Sequence, residues 1–209
     1  MRTIRTATFV SLDGVMQAPG GPDEDADGFA FGGWVAPFWD ETLDQLMGQA
    51  MGETYDLLLG RKTYEIFAAF WPQMDDETGR TFNAINKYVA AGPATPLDWA
   101  HSHRLEGDLP DAVRALKATE GRDLLIQGSS EVIHTLLAHD LIDQLTLLTF
   151  PIVLGRGKRL FDQGSRPHEW TPVSSGSTPR GVTVGTWRRA GEVPTGSFAP
   201  DDFDVGRVQ

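Results

Sequence analysis

One stretch of the 209-residue chain limits its possible folds more than any other, and it covers residues 123–155. It begins with the short apolar run Leu-Leu-Ile, which suits a buried strand and stops before Gly128. Gly128 can adopt backbone angles that other residues avoid, so a tight turn is expected there. Ser129 or Ser130 can then cap a helix, in which apolar residues recur at helical spacing. A second apolar run at 145–154 completes a predicted unit of strand, glycine turn, helix and strand.

Such a glycine turn has a chemical consequence as well as a structural one. The unpaired N–H groups in the first turn of the helix lie at the carboxyl edge of the sheet, together with the positive end of the helix dipole. An anion such as a phosphate group can bind there. The same pattern also fits an ordinary βαβ unit with a capped helix, and the stretch alone leaves both interpretations open.

A second strand and helix meet in the same way earlier in the chain. Residues 55–60 predict a strand that ends at Gly60, and the helix after it begins with Arg61, Lys62 and Thr63. Cations at a helix N-terminus oppose the helix dipole unless an anion is bound. Arginine can grip a phosphate with two parallel hydrogen bonds, while lysine acts as a point charge. The pattern favours a ligand role for Arg61 and Lys62 over the alternative of exposed surface residues.

The composition is typical of a soluble globular protein. The length suits one α/β domain, which we expect at residues 1–190, followed by a C-terminal tail at 191–209. The absence of cysteine excludes cysteine nucleophiles, thiolate zinc sites and disulfides. The net charge of −11 argues against nonspecific binding to nucleic acid. Since no apolar run approaches about 20 residues and no signal peptide is recognisable, we expect a cytoplasmic protein without a membrane partner.

The segment before the first long helix is rich in aromatic rings. They are Phe29, Phe31, Trp34, Phe38 and Trp39. Three glycines and a proline among them exclude a regular helix throughout, so the rings must dock onto another part of the molecule. The segment is either a flap that excludes water from a pocket or a satellite core beneath a long loop.

Residues 40–53 predict the clearest amphipathic helix in the first half of the chain. At about 100° per residue, Asp40 and Asp44 project toward the edge of its apolar face. Partial desolvation at such a position favours the protonated form of a carboxyl group. The alternatives are an N-cap for Asp40 and a solvated face for Asp44.

The rest of the chain predicts further strands but few functional signals. Short β-branched or apolar runs predict strands at residues 3–12, 86–91, 170–175 and 181–188. Asp13 and Gly14 form a turn after the first of these, and residues 75–83 are interpreted as a polar connection. His101 and His103 have no third ligand at a recognisable spacing, so we interpret them as surface residues and expect no metal site.

Motifs in this order resemble those of the dihydrofolate reductase-like superfamily. They are FVSLDG at 9–14, LLGRKTYE at 58–65, GSSE at 128–131 and TFPIVLGRG at 149–157. The closest resemblance is to the branch that contains the reductase domain of the riboflavin-pathway bifunctional deaminase/reductase. The resemblance implies a three-layer α/β fold, with a mainly parallel central sheet, flanking helices and an antiparallel edge.

The resemblance also implies NADPH bound across the two strand–helix junctions. The cofactor-binding residues would be Gly60, Arg61, Lys62, Thr63, Gly92, Gly128, Ser129, Ser130 and Glu131. Arg61 and Lys62 would bind the 2′-phosphate, and backbone N–H groups after Gly128 would bind the pyrophosphate. Dihydrofolate reductases carry two adjacent glycines where this chain has Gly128 and Ser129. The substrate pocket would include Asp13, Gly14, Trp34 and Phe38, with Asp40 or Asp44 as the catalytic carboxyl group.

These features predict an NADPH-dependent reductase that delivers hydride to a small heterocyclic or carbonyl substrate. The resemblance implies a reaction like that of 5-amino-6-(5-phosphoribosylamino)uracil reductase, and a homodimer. The alternatives are a dihydrofolate or pterin reductase, and a nucleotide-binding module of the same fold without turnover.

Overall fold

The structure, a computed structural model, describes residues 1–25, 28–162 and 164–198. Its centre is an eight-stranded sheet with the strand order β4-β3-β2-β5-β1-β6-β8-β7. The strands are β1 (Ile4–Ser11), β2 (Tyr55–Gly60), β3 (Lys87–Ala90), β4 (Ser102–Arg104), β5 (Asp123–Ile126), β6 (Gln144–Phe150), β7 (Glu169–Ser177) and β8 (Thr183–Gly191). β1 to β6 pair in parallel, and β8 and β7 add an antiparallel edge.

Helices cover both faces of the sheet. They are α1 (Glu41–Met51), α2 (Arg61–Phe70), α3 (Glu77–Ala84), α4 (Leu109–Ala118) and α5 (Ser130–Ala138). On one face, α1, α2 and α3 contribute Leu43, Tyr64 and Phe82 to a single hydrophobic cluster. On the other face, α4 and α5 contribute Val113 and Ile133 to a second cluster. The predicted three-layer fold, mainly parallel with an antiparallel edge, is confirmed.

The order of the strands creates a crevice between β2 and β5. These strands are neighbours, but the chain leaves β2 toward β3 on one side and leaves β5 toward β6 on the other. The helices that follow them therefore diverge to opposite faces of the sheet. Ligands of open α/β sheets bind at such a switch point, outside the carboxyl ends of the strands.

Two local predictions were wrong. Residues 75–83 are not a plain connection, because α3 forms there; the Asp76 side chain caps it by accepting a hydrogen bond from the Gly79 N–H at 2.7 Å. The strand expected at 145–154 ends at Phe150. Proline follows it and has no N–H to donate, and the Ile152 N–H turns back to the Phe150 carbonyl at 2.8 Å.

Lys87, at the start of β3, is fully buried. Its ammonium group donates hydrogen bonds to the carbonyls of Ala100 at 2.9 Å and Asn83 at 3.3 Å, and lies 4.2 Å from the centre of the Trp99 ring. Loss of hydration lowers the pKa of Lys87 to about 8, although the nearby Asp56 carboxylate opposes this shift. A charged amine therefore lies in the core at neutral pH.

We expect Lys87 to make the protein more stable as the pH rises. Between the folded pKa of about 8 and the ordinary value of 10.5, the unfolded chain keeps a proton that the folded chain has released. The free energy of unfolding then increases with pH. Burial raises the pKa of Tyr55 from its ordinary value of 10 to about 12. Tyr55 therefore lowers the free energy of unfolding as the pH rises, but only above pH 10.

Urea denaturation from pH 8 to pH 10 measures this effect. Lys87→Met removes the titrating group and keeps a long unbranched side chain, so the rise in stability should disappear in the variant. The same pH dependence in both proteins would contradict the assignment.

Candidate functional site

A large cleft lies at the carboxyl ends of the parallel strands and continues between α1 and α2. Its volume is about 2110 Å³. A pocket for one small ligand occupies roughly 300–1,000 Å³, so this cleft has room for a cofactor and a substrate together. All the residues predicted to bind the cofactor line it: Gly60, Arg61, Lys62, Thr63, Gly92, Gly128, Ser129, Ser130 and Glu131.

The junction of β2 and α2 brings cationic side chains to the cleft. Arg61 and Lys62 lie in the first turn of α2 and are exposed. Arg61 pairs with Glu65 one turn later, at 2.9 Å. Lys62 lies 4.0 Å from the carboxylate of Asp25, which also pairs with Lys158 at 2.6 Å. Within the described residues, these three cations are the basic side chains of the cleft lining, and they gather near the start of α2.

Ser129 joins the two junctions. Its Oγ accepts a hydrogen bond from the backbone N–H of Gly60 at 2.9 Å and lies 2.7 Å from the Thr63 hydroxyl. Gly60 has to be a glycine, because a Cβ atom there would lie 2.4 Å from the same Oγ. One hydroxyl group therefore fixes the start of α2 against the turn that precedes α5.

Ser129 makes these contacts in a conformation that favours glycine. Its φ is +79°, in the left-handed region. A residue with a Cβ atom pays roughly 1–2 kcal/mol for that conformation. The chain thus keeps a glycine-like backbone at the position where the resemblance leads us to expect a second glycine. The turn leaves the first N–H groups of α5 without partners inside the helix.

The end of β3 forms a third part of the cleft wall. Ala90, Ala91 and Gly92 line it. The Arg104 guanidinium donates to the Ala91 carbonyl at 3.0 Å and also to the Gly92 carbonyl. Arg104 therefore fixes the path of the backbone at Gly92.

Of the two carboxyl groups predicted to be catalytic, Asp44 lines the cleft. It is exposed, and its side chain makes no hydrogen bond or ion pair with any residue that the structure describes. Asp40 lies outside the lining and caps α1, because its side chain accepts a hydrogen bond from the Leu43 N–H at 2.8 Å. The geometry favours Asp44 for a direct role in the site.

Asp13 and Gly14 lie outside the cleft lining. The Asp13 carboxylate accepts hydrogen bonds from the backbone N–H groups of Leu154 at 3.0 Å and Gly155 at 2.9 Å, and from the Ser11 hydroxyl at 2.7 Å. These hydrogen bonds, led by that from Leu154, lower the pKa of Asp13 to about 2. Asp13 connects the end of β1 to the segment after β6. Because its carboxylate is taken up by these hydrogen bonds, the structure does not support the predicted role of Asp13 in a substrate pocket.

The predicted pocket rings Trp34 and Phe38 also lie outside the lining. Both pack edge-on against Phe150, with ring centres 5.2 Å and 5.9 Å away. Phe29 and Trp34 are buried members of the hydrophobic cluster beneath the loop. The buried rings of the segment are therefore part of the main core on this face of the sheet and not of a separate satellite core. The ring that the segment presents to the cleft is Trp39, which is 39% exposed.

The second half of the cleft, which we call the α1–α2 groove, was not predicted from the sequence. The side chains that define it are Asp44, Glu53, Phe67, Phe70, Trp71 and Glu77. The i, i+3 spacing of Phe67 and Phe70 was a visible signal, but it equally fits a helix face packed into the core. Glu77 could not be found, because α3 itself was not predicted.

Among residues 1–25, 28–162 and 164–198, no helix combines the length and the hydrophobicity that a membrane span needs. The same residues contain no group of His, Cys, Asp or Glu side chains that could hold a metal ion. His103 is exposed, with a ring nitrogen 3.1 Å from the Asn86 side-chain oxygen.

We expect Ser129→Ala to destabilise the protein more than Ser129→Gly. Alanine loses both hydrogen bonds, which we expect to cost about 1–3 kcal/mol of unfolding free energy, and keeps a Cβ atom in the left-handed region. Glycine loses the same hydrogen bonds but avoids the Cβ penalty. Urea denaturation of the two variants measures the difference.

Ser130→Ala is the matched control, since the Ser130 side chain makes no hydrogen bond within the described residues. It should change the unfolding free energy by less than about 0.5 kcal/mol. If the Ser129→Gly variant is no more stable than the Ser129→Ala variant, the left-handed backbone at position 129 does not carry the proposed energetic cost.

Comparison with known proteins identifies the family. The model of the RibD C-terminal domain family matches residues 2–184. A Bacillus subtilis relative, the uncharacterized protein YyaP, is 27% identical over 110 residues, and the match covers 50% of this chain and 58% of the relative. The chain therefore aligns with little more than half the length of that relative.

Solved structures share the fold at low identity. A riboflavin biosynthesis protein from Shewanella sp. PV-4 has a TM-score of 0.64 and 23% identity, covering 91% of this chain and 99% of its own. A pyrimidine reductase-like protein from Corynebacterium diphtheriae has a TM-score of 0.62 and 14% identity, covering 90% and 92%. Dihydrofolate reductase from Enterococcus faecalis, complexed with NADP(H), has a TM-score of 0.55 and 15% identity, covering 90% and 96%. The chain belongs to the RibD C-terminal domain family and has the dihydrofolate reductase-like fold.

Proposed function

We propose that this protein is an NADPH-dependent reductase that transfers hydride to a small heterocyclic or carbonyl substrate. The observation that carries the proposal is the meeting of two strand–helix junctions, joined by Ser129, in one cleft. Membership of the RibD C-terminal domain family supports a reductase-type function. The structural similarity to a dihydrofolate reductase complexed with NADP(H) supports the cofactor.

The residues present fit a dinucleotide with three phosphate groups. At the second junction, a Cβ atom on Gly128 would meet only the Thr63 side chain, at 3.5 Å, so the turn carries little bulk. Backbone N–H groups of Ser130 and Glu131 can therefore approach a pyrophosphate at the start of α5. Arg61 and Lys62 supply positive charge for a 2′-phosphate at the start of α2.

NADPH, when bound, supplies the hydride, and the protein provides orientation, proton transfer and exclusion of water. Asp44 lies in the first turn of α1, beside the carboxyl edge of the sheet, and is placed to bind a substrate N–H group or to deliver a proton. Trp39 and Phe67 bring apolar surface to the same cleft. For proton transfer, the protein thus provides the Asp44 carboxyl group, which lies beside an apolar wall.

We expect the double variant Arg61→Ser, Lys62→Ser to bind NADPH about 10- to 100-fold more weakly, because charged hydrogen bonds to phosphate are lost. Its affinity for NADH, which lacks the 2′-phosphate, should change much less. Isothermal titration calorimetry with both cofactors measures this difference.

Arg114→Ser is the control, because Arg114 is exposed on α4, pairs with Asp111 and lies outside the cleft lining. It should bind both cofactors as the unaltered protein does. The proposal fails if millimolar NADPH neither raises the melting temperature nor gives a heat of binding.

We expect Asp44→Asn to lower kcat/KM for NADPH oxidation by about 100-fold or more, while NADPH affinity stays unchanged, because a positioned acid is lost and the cofactor end is untouched. The measurement is the absorbance decrease of NADPH with a panel of ribitylamino-pyrimidines, pterins and simple carbonyls. Asp40→Asn is the matched variant, since asparagine also caps helices well, and it should retain most of the activity.

Loss of activity in Asp40→Asn alone would assign the catalytic role to Asp40 instead. Reduction of dihydropterin or dihydrofolate in preference to the other substrates would favour the pterin reductase alternative. Tight NADPH binding without oxidation across the whole panel would favour a binding module of the same fold. The homodimer and the cytoplasmic location stay predictions from the sequence.

A further inference from the structure

We infer that the α1–α2 groove accepts a planar heterocycle that is uncharged or cationic, and that it discriminates against substrates carrying a phosphate or carboxylate group. This inference rests on the proposed reductase function, because it treats the groove as the substrate half of the cleft. It concerns which member of a broad class of heterocycles the protein reduces. Three observations carry it: the position of the cations, the acids in the groove and the exposed rings.

The cations of the cleft lie at one end. Arg61 and Lys62 are the first two residues of α2, and Lys158 shares the Asp25 carboxylate with Lys62. α2 has 10 residues, so at about 1.5 Å per residue its ends lie roughly 14 Å apart. The Debye length at physiological salt is about 8 Å, so these charges are largely screened at the far end of α2. A bound cofactor would also use them for its own phosphates.

The groove carries carboxylates instead. Asp44, Glu53 and Glu77 line it and are exposed. None of the three is paired with a basic side chain within the described residues. A phosphate on a substrate that extends along the groove would therefore meet like charge without a cation among the lining side chains, since the nearby Arg5 is committed to the Met51 carbonyl and to Asp123. An amino group or a protonated ring nitrogen would meet complementary charge.

Aromatic side chains form the wall of the groove. Phe67 stacks on Phe82 with ring centres 5.9 Å apart and an interplanar angle of 18°, and Trp71 packs edge-on against the same ring at 4.8 Å. Phe70, which is 51% exposed, adds apolar surface to the same wall. Such a wall offers stacking surface to a flat ring, and ring faces attract cations.

The cleft therefore has two parts with different ligand preferences, one for phosphate groups and one for a planar ring. The start of α2 and the start of α5 have the chemistry of a phosphate site. The groove has the chemistry of a site for a flat ring that carries an amino group or a protonated nitrogen. The phosphoribosyl group of 5-amino-6-(5-phosphoribosylamino)uracil would place a dianion where the groove provides carboxylates, so the dephosphorylated ring compound fits better.

The test compares pairs of probes, with affinities measured on NADP⁺-loaded protein, which cannot transfer hydride, and turnover measured with NADPH. One pair is 5-amino-6-ribosylaminouracil and its 5′-phosphate, and the other is 6-methyl-dihydropterin and dihydrofolate, which adds a p-aminobenzoyl-glutamate group with two carboxylates. We expect the member without the anionic group to bind at least about tenfold more tightly in each pair, with a larger ratio at low salt. Isothermal titration calorimetry gives the affinities, and NADPH oxidation gives kcat/KM.

Charge reversal gives an independent check. The double variant Glu53→Lys, Glu77→Lys should reduce or invert the preference within each pair, while NADPH affinity stays the same. Glu120→Lys is the matched control, because Glu120 is exposed and lies outside the cleft, and it should leave the preference unchanged.

The possible results separate the inference from the proposed function. Absence of NADPH binding would overturn the proposed function and the inference with it. NADPH binding combined with equal affinity in each pair, preference for the anionic member, or binding of neither member would overturn the inference alone.

Discussion

The site depends on one hydroxyl group that holds two corners of the sheet together. Gly60 is the N-cap of α2 but has no side chain to cap it, and its own N–H group needs an acceptor where the backbone is buried. Ser129 provides that acceptor and a contact to Thr63. Two such hydrogen bonds contribute about 0.5–1.5 kcal/mol each, which offsets the left-handed backbone of the serine. The relative position of the two helix N-termini follows from this balance.

The proposed phosphate site has to operate within a chain whose net charge is −11. The overall field repels anions, so binding has to rely on charges within a few ångströms of the ligand. Asp25 already neutralises part of the local positive charge, since its carboxylate pairs with Lys158 and lies near Lys62. The cluster therefore holds an anionic group of the protein itself, and a cofactor phosphate would have to compete with the Asp25 carboxylate for the same lysines.

Sequence patterns predicted the features that depend on neighbours along the chain. A buried strand, a glycine and the start of a helix follow one another within a few residues at both junctions, so the sequence alone locates both. Features that depend on distant residues were not predictable in this way. Asp13 looks like an ordinary turn residue, and its hydrogen bond to Leu154 spans 141 residues of chain. α3 was missed because it buries only Gly79 and Phe82, too few residues for a periodic apolar pattern.

The difference between local and long-range contacts also explains why the proposed cofactor end of the cleft is easier to infer from sequence than the proposed substrate end. The junctions act through backbone N–H groups and the first side chains of a helix, so a short motif contains most of their chemistry. The α1–α2 groove is instead assembled from α1, α2 and α3, and its wall exists because Phe67 and Trp71 meet Phe82 across the fold. No local motif encodes that meeting. Proteins that share the junction motifs can therefore differ in the groove, and substrate class has to be argued from the groove's own side chains.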